Sequence, residues 1–412
     1  MKLFKAETVW DFSTPSKIKF GEEAILELSE EAKMFGASRI LFLTDEGVRK
    51  AGIVDEVVET LDKDLEYEIY DRVEPEPSLN VFEDALEALR RFKPEILVAI
   101  GGGSSIDVAK AVNVIYKHGG EVLDYIAPPT GKGKRVPGKG LPIIAVPTTS
   151  GTGSEVSPVS VVSIPDKEIK VGISSRYMRP DIALVDPLLT VSLPPAPTAS
   201  SGMDALSHAI EAYTTRRYER KAKASAMTRP DYNGGNPITD LYAKKAIELI
   251  AESLRRAYNN GEDLEARKKM ALASLLAGIA FTNAGLGATH AIGMVVGGRY
   301  HSAHGVTMAI ILPAVMEFNA SSNPKRFAEI AELMGIKTEG LDVLEVAKKS
   351  AEAVRELSKD VNIPRGLSEL GVREEDIPEL AELVIERQQR LLVGNPRRVE
   401  KKDVEEIIVN CL

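Results

Sequence analysis

Glu95-Ile96-Leu97-Val98-Ala99-Ile100-Gly101-Gly102-Gly103-Ser104-Ser105-Ile106-Asp107-Val108-Ala109-Lys110 decides the fold. An unbroken apolar run ends in three glycines, and a stretch with helical spacing follows. Such a run suits a strand of a parallel sheet covered on both faces. The glycines permit a sharp turn and let a ligand approach without a Cβ in the way. Ser104 or Ser105 can cap the next helix, whose free N–H groups and positive dipole end favour a pyrophosphate. A tight strand–helix connection without a ligand uses the same residues, so both readings stand on this segment alone.

Working outward, further apolar runs lie at 38–44, 142–146 and 181–185, with helical patterns at 22–35, 80–92 and 105–116. The alternation predicts a doubly wound, mostly parallel, Rossmann-like α/β domain over 1–193. Beyond it β-branched runs become scarce, and Ala, Leu, Glu, Lys and Arg recur at helical spacing over 238–257, 263–282, 325–334 and 342–358. These predict an all-α domain over 194–412. Pro194-Pro195-Ala196-Pro197 is the expected joint, where the chain must turn.

A second turn follows a strand: Pro147-Thr148-Thr149-Ser150-Gly151-Thr152-Gly153-Ser154-Glu155. Alternating hydroxyls and glycines suit the phosphates and ribose of a nucleotide. Two such turns at the carboxyl ends of parallel strands mark the ligand crevice of an open α/β sheet, and Asp45, ending an earlier strand, can accept hydrogen bonds from a ribose. The usual GxGxxG fingerprint is missing, so a nucleotide would bind in a variant geometry. Pro128–Gly140 carries four positive charges. It reads as a solvated surface loop, the sharper alternative being a phosphate contact.

Composition excludes several classes. The 412 residues are 44% hydrophobic and 27% charged, the balance of a globular chain with room for two large domains. A net charge of −9 makes sequence-independent nucleic-acid binding a poor fit. No apolar run approaches the roughly 18 residues of a membrane span, and the first residues lack a signal-peptide core. Cys411 is the single cysteine, so neither an intramolecular disulfide nor a cysteine zinc site is expected. A reducing, cytoplasmic location is the expectation.

The chain has five histidines. His118 reads as a helix-end residue meeting the last carbonyls. Asp204 and His208, spaced i and i+4, stack on one helix face among apolar neighbours. A buried carboxylate beside an imidazole needs compensation, and a cation supplies it. His290 and His304 lie about 21 Å apart on one straight helix, too far for ligand bonds of about 2 Å. They can converge only if the chain reverses, and Gly297-Gly298 is the expected break. The resulting Asp/His₃ set suits Fe(II) or Zn(II) with a position open for substrate.

Together GGGSSIDVAK at 101–110, PTTSGTGSE at 147–155, DP at 186–187, GMDALSHAIEAY at 202–213, NAGLGATHAIG at 283–293 and HG at 304–305 resemble the iron-containing alcohol dehydrogenase family. The resemblance implies an α/β nucleotide domain, a helical domain and an active site in the cleft between them. It implies that Gly101, Gly102, Gly103, Ser104, Asp107, Thr148, Thr149 and Thr152 hold NAD, with Lys170 near the ribose. Asp45 would favour NAD over NADP by repelling a 2′-phosphate, and Asp204, His208, His290 and His304 would bind one divalent metal, Fe(II) or else Zn(II). A homodimer is usual among look-alike proteins. Met294 departs from the pattern, standing where many members have a proton-relaying histidine; His301 is the candidate substitute. The insertion 228–240 resembles the hydroxyacid–oxoacid transhydrogenase branch, and Arg216, Arg217 or Arg229 could pair with a substrate carboxylate.

The expected activity is reversible hydride transfer between NAD(P) and a small primary alcohol or hydroxyacid. Alternatives are a transhydrogenase with retained NAD, a lyase of the dehydroquinate synthase type, and a nucleotide-binding module without catalysis.

Overall fold

The structure is a computed structural model that describes residues 9–164, 169–220 and 230–412. The chain divides into two compact units. One consists of Thr14–Leu193 with Glu262–Ala271; the other of Pro194–Gly261, Leu272–Leu412 and the described residues 9–13. Two short segments therefore depart from a single division at 193/194.

The first unit is an α/β layer structure around a six-stranded sheet. Its strands are β1 (Lys17–Phe20), β2 (Arg39–Asp45), β3 (Glu66–Val73), β4 (Ile96–Gly101), β5 (Ile143–Pro147) and β8 (Ile182–Val185), in spatial order β1-β8-β5-β4-β2-β3. Every pairing in it is parallel. Alternate residues of one strand feed opposite cores. Leu41, Leu43, Leu97, Ala99, Ile143 and Ala145 pack with the Leu79–Phe92 and Gly103–His118 helices. Ile40, Phe42, Ile96, Val98, Ile100, Ile144 and Leu184 pack with the Leu28–Met34 and Ile53–Glu59 helices. Burial on both faces is why these strands read as unbroken apolar runs. The sheet is the doubly wound, parallel Rossmann-like arrangement. A separate antiparallel pair, β6 (Val159–Ile164) and β7 (Ile169–Ser174), completes the unit's described strands.

The chain runs from β2 out to β3, then crosses back to place β4 on the other side of β2. The order reverses there, and the carboxyl ends of β2 and β4, Asp45 and Gly101, flank the switch point where open α/β sheets bind ligands.

The second unit is helical. It includes the helices Pro195–Thr214, Pro237–Asn259, Ala288–Tyr300, His304–Ala320, Pro324–Leu333, Val343–Asp360, Ile377–Arg387 and Lys401–Val409, together with the later part of Leu264–Ala284. The expected joint prolines open a helix. Pro195 and Pro197 occupy its first turn, where a missing N–H removes no bond. Among the described residues no single helix is long and apolar enough to cross a membrane.

Candidate metal centre and glycine turns

The Pro195–Thr214 helix presents Asp204, His208 and Glu211 on one face, at steps of four and three residues. All three are buried. His290 lies in the first turn of the Ala288–Tyr300 helix, and His304 begins the His304–Ala320 helix. The reversal between them falls at 301–303, not at the expected Gly297-Gly298. Those glycines stay inside the helix and are buried, a position that costs only about 1 kcal/mol each and is overridden by packing. The helix instead ends at His301, which adopts the left-handed conformation (φ 51°) common after a last helical turn.

Ligand atoms of Asp204, His290 and His304 lie within 4.8 Å of one another. Asp204 Oδ1 is 3.6 Å from His304 Nε2 and 3.8 Å from His290 Nε2. His208 stands outside that tight group but belongs to the cluster: its Nδ1 is 3.8 Å from Asp204 Oδ2, and its ring stacks on Phe281 at 4.2 Å and on His290 at 4.6 Å. Exposed His301 does not belong to the group, and half-buried Met294 sits one helical turn after His290.

The electrostatics favour a cation here. Burial raises the pKa of the Asp204 carboxyl, but the three imidazoles outweigh it and hold the group below its usual range. Burial likewise opposes ionisation of Glu211 and of His290, yet their mutual attraction lowers the Glu211 pKa and raises that of His290. Asp204 Oδ1 and His290 Nε2 are buried without a hydrogen-bond partner. Such orphaned atoms are costly unless something binds them. A divalent cation would be met by both and by the nearby nitrogens, so the residues fit one mixed N/O metal ion.

Glu211 carried no assigned role in the sequence, although its i+7 spacing from Asp204 was the available signal. Its Oε2 accepts from His290 Nδ1 at 2.5 Å and its Oε1 from the Thr289 N–H at 2.7 Å. A carboxylate can only accept, so Nδ1 carries the proton and Nε2 is left as the ligand atom.

The glycine turns lie within the α/β unit. Gly101 has φ +154°, and a Cβ there would sit 2.5 Å from Ser105 Oγ and 3.2 Å from Asp45 Oδ2. A Cβ on Gly103 would sit 2.8 Å from two Thr152 side-chain atoms. The Thr148 N–H donates to the Gly101 carbonyl at 3.0 Å, so the two turns are joined side by side. Gly102, Thr149 and Thr152 remain partly accessible. Half-buried Asp45 uses Oδ1 to cap the Glu46–Lys50 helix through Val48 N–H, while Oδ2 faces the Ser105 hydroxyl at 3.5 Å.

Lys170, on β7, is brought to the first turn through Glu76, which sequence reasoning missed. Its Nζ lies 2.6 Å from Glu76 Oε1, and the Glu76 N–H donates to Ser104 Oγ at 3.2 Å. Glu76 sits between two prolines in a left-handed conformation (φ 55°). Asp107 is buried. Its carboxylate accepts from Ser154 Oγ at 2.5 Å, from Val161 N–H at 2.8 Å and from fully buried Lys110 at 3.3 Å. These bonds tie Asp107 to the second glycine turn and to β6.

Other expectations resolve more plainly. His118 ends its helix, but its ring bonds the Gly138 carbonyl at 2.9 Å and not the helix's own carbonyls. In the basic loop, Lys132 and Lys139 pair with Asp124 and Asp181, and Lys134 lies over the Tyr125 ring. Arg217 is held by Asp240 at 2.6 Å, and Arg216 donates to the Asn395 carbonyl at 3.1 Å. Arg229 lies outside the described residues. Within the insertion, buried Asn236 caps the Pro237–Asn259 helix, so that stretch serves as a helix start.

Two family models match the chain: iron-containing alcohol dehydrogenase over residues 15–187, and the C-terminal region of the Fe-containing alcohol dehydrogenase family over residues 232–412. The chain belongs to the iron-containing alcohol dehydrogenase family. The solved structure of a 1,3-propanediol oxidoreductase is 38% identical, covers 98% of this chain and 100% of its own, and superposes with a TM-score of 0.89. An NAD-dependent methanol dehydrogenase of Bacillus methanolicus is 35% identical over 98% of this chain and 100% of its own. A mitochondrial hydroxyacid–oxoacid transhydrogenase of Xenopus tropicalis is 35% identical over 94% of this chain and 88% of its own. Membership makes the chain a metal-dependent, NAD-linked alcohol dehydrogenase, an oxidoreductase.

Proposed function

We propose that this family member oxidises small primary alcohols, diols or short hydroxyacids, prefers NAD, and uses Fe(II). The observation that supports it most is the convergence of Asp204, His290 and His304 from three separate helices. Bound there, a divalent cation supplies Lewis acidity that makes an alcohol more acidic and readier to lose hydride, and the nicotinamide supplies the acceptor.

The chain's own residues do the rest. Asp204, His208, His290 and His304 hold the cation, and Glu211 fixes the His290 ring. Gly101–Gly103, Ser104, Thr148, Thr149 and Thr152 admit the dinucleotide's phosphates to backbone N–H groups and hydroxyls. Asp45 accepts from ribose hydroxyls and repels a 2′-phosphate. Lys170, set by Glu76, borders the same turn. Met294 cannot move a proton, and exposed His301 is the group proposed to pass the alcohol's proton to solvent.

The test is NADH formation with a panel of primary alcohols, diols and four-carbon hydroxyacids on metal-loaded enzyme. Turnover with one of these classes supports the reading; none with any class contradicts it. A second reading, hydride exchange between a hydroxyacid and an oxoacid on retained NAD, is favoured by the transhydrogenase relative and by Met294. Exchange without added NAD would select it.

A further inference from the structure

One short turn late in the chain reaches every helix that bears a proposed metal ligand. Asn395, 1% exposed, lies in the 394–397 turn. Its Oδ1 accepts from the Ala288 N–H at 3.3 Å, two residues before His290. Asn395 and Asn319 exchange amide hydrogen bonds of 3.0 and 2.8 Å, and Asn319 lies at the far end of the helix that His304 begins. The Gly394 carbonyl accepts from Thr215 Oγ1 at 2.6 Å and from the Arg216 N–H at 2.8 Å, directly after the helix carrying Asp204 and His208.

The N-terminus of the Ala288–Tyr300 helix has no side-chain cap of its own, because its N-cap residue is Gly287. Its first N–H groups are taken instead by distant side chains: Ala288 by Asn395 and Thr289 by Glu211. Gly287 leaves room for this. A Cβ there would lie 2.9 Å from Asn395 Oδ1 and 3.2 Å from Glu211 Oε1. Each free N–H at a helix start needs an acceptor, and here the two acceptors also set the rotation of the turn that carries His290.

We propose that Glu211 and Asn395 are positioning residues of the metal centre. Together they cap the His290 helix from outside, keep the imidazole in its Nδ1–H form, and hold Nε2 toward Asp204. Asn395 further ties this helix to the one that His304 opens, so the spacing between two ligands depends on an amide far from either in sequence. The inference rests on the reading of Asp204, His208, His290 and His304 as a cation site.

The experiment measures equilibrium affinity for Co(II) and Zn(II), by chelator competition, in the full-length wild type, Asn395→Ala and Glu211→Gln. The visible spectrum of bound Co(II) and the dissociation constant of NADH are recorded alongside. Loss of an outer partner of a metal-ligating histidine typically weakens metal binding about 10- to 100-fold. Each variant is expected to lose at least tenfold in metal affinity and to shift the Co(II) spectrum, with NADH affinity unchanged because the turns that bind it lie in the other unit. Wild-type metal affinity in both variants would overturn the proposal. A parallel loss of NADH affinity would show a general structural role and would overturn it too. Failure of the wild type to bind one cation would instead contradict the metal-site reading itself. Should Asn395→Ala not fold, Glu211→Gln decides alone, since it keeps the side chain's volume and one acceptor oxygen.

Discussion

Replacing Gly103 by alanine adds one carbon where the two glycine turns meet. That carbon would lie 2.8 Å from Thr152 Cγ2 and Oγ1 and 3.0 Å from Thr152 Cβ. Threonine is stiff about χ1, so its side chain cannot swing clear cheaply. Forcing an extra carbon into a packed site costs about 1–3 kcal/mol. If the turns spread to relieve it, the N–H groups at the start of the Gly103–His118 helix move off the nucleotide phosphates. At about 1.4 kcal/mol per factor of ten, NADH binding weakens roughly five- to hundredfold. Fluorescence titration of NADH measures this without metal or alcohol. In a double-mutant cycle with Thr152→Gly, which removes the clash together with one hydroxyl, the coupling energy should be similar in size and opposite in sign to the Gly103→Ala loss. A folded Gly103→Ala protein that binds NADH as tightly as wild type would refute the placement of the nucleotide on these turns.

Asp45→Asn keeps a capping side chain for Val48 but removes the negative charge facing Gly101 and Ser105. The KM ratio of NADP to NAD is expected to fall at least tenfold; an unchanged ratio would exclude Asp45 as the discriminator. Burial pushes the Glu155 carboxyl up to about 7. The folded chain therefore binds that proton more tightly than the unfolded one, a contribution full below pH ~4.5 and lost as pH rises through about 7, worth at most about 3 kcal/mol. The melting temperature of Glu155→Gln minus that of wild type should rise between pH 5 and pH 8, and a difference that stays constant or falls would contradict this. Burial also pushes the Cys411 thiol up to about 12. Iodoacetamide at pH 8 should label it only after unfolding, as read by intact mass; rapid labelling of native protein would show the C-terminal packing to be wrong.

The central strands were legible because a sheet covered on both faces demands unbroken apolar runs, as in Ile96–Ile100 and Ile143–Val146. The edges were not. Lys17-Ile18-Lys19-Phe20 pairs on one side only, and Glu66–Val73 mixes charges with tyrosines, so β1 and β3 lacked the signal of a buried strand. The β6–β7 pair alternates buried and half-buried residues and was also missed. In the candidate site the Asp204–His208 pair was readable, since i, i+4 spacing in apolar surroundings puts a carboxylate and an imidazole on one buried helix face. Where the chain reverses was not, because two glycines look like a break while the actual end is set by His301 in a left-handed turn. Of the partners that orient the site, Glu211 shares the helix face of Asp204, whereas Asn395 and Glu76 depend on contacts across 94 to 107 residues of chain, which no local pattern encodes.

The most direct test of the account is anomalous diffraction from crystals of the protein loaded with one transition metal, recorded at that metal's absorption edge. One peak is expected per chain, bonded at about 2.0–2.2 Å by Asp204, His208, His290 Nε2 and His304. A peak elsewhere with none between these side chains, or His290 turned to offer Nδ1, would contradict it.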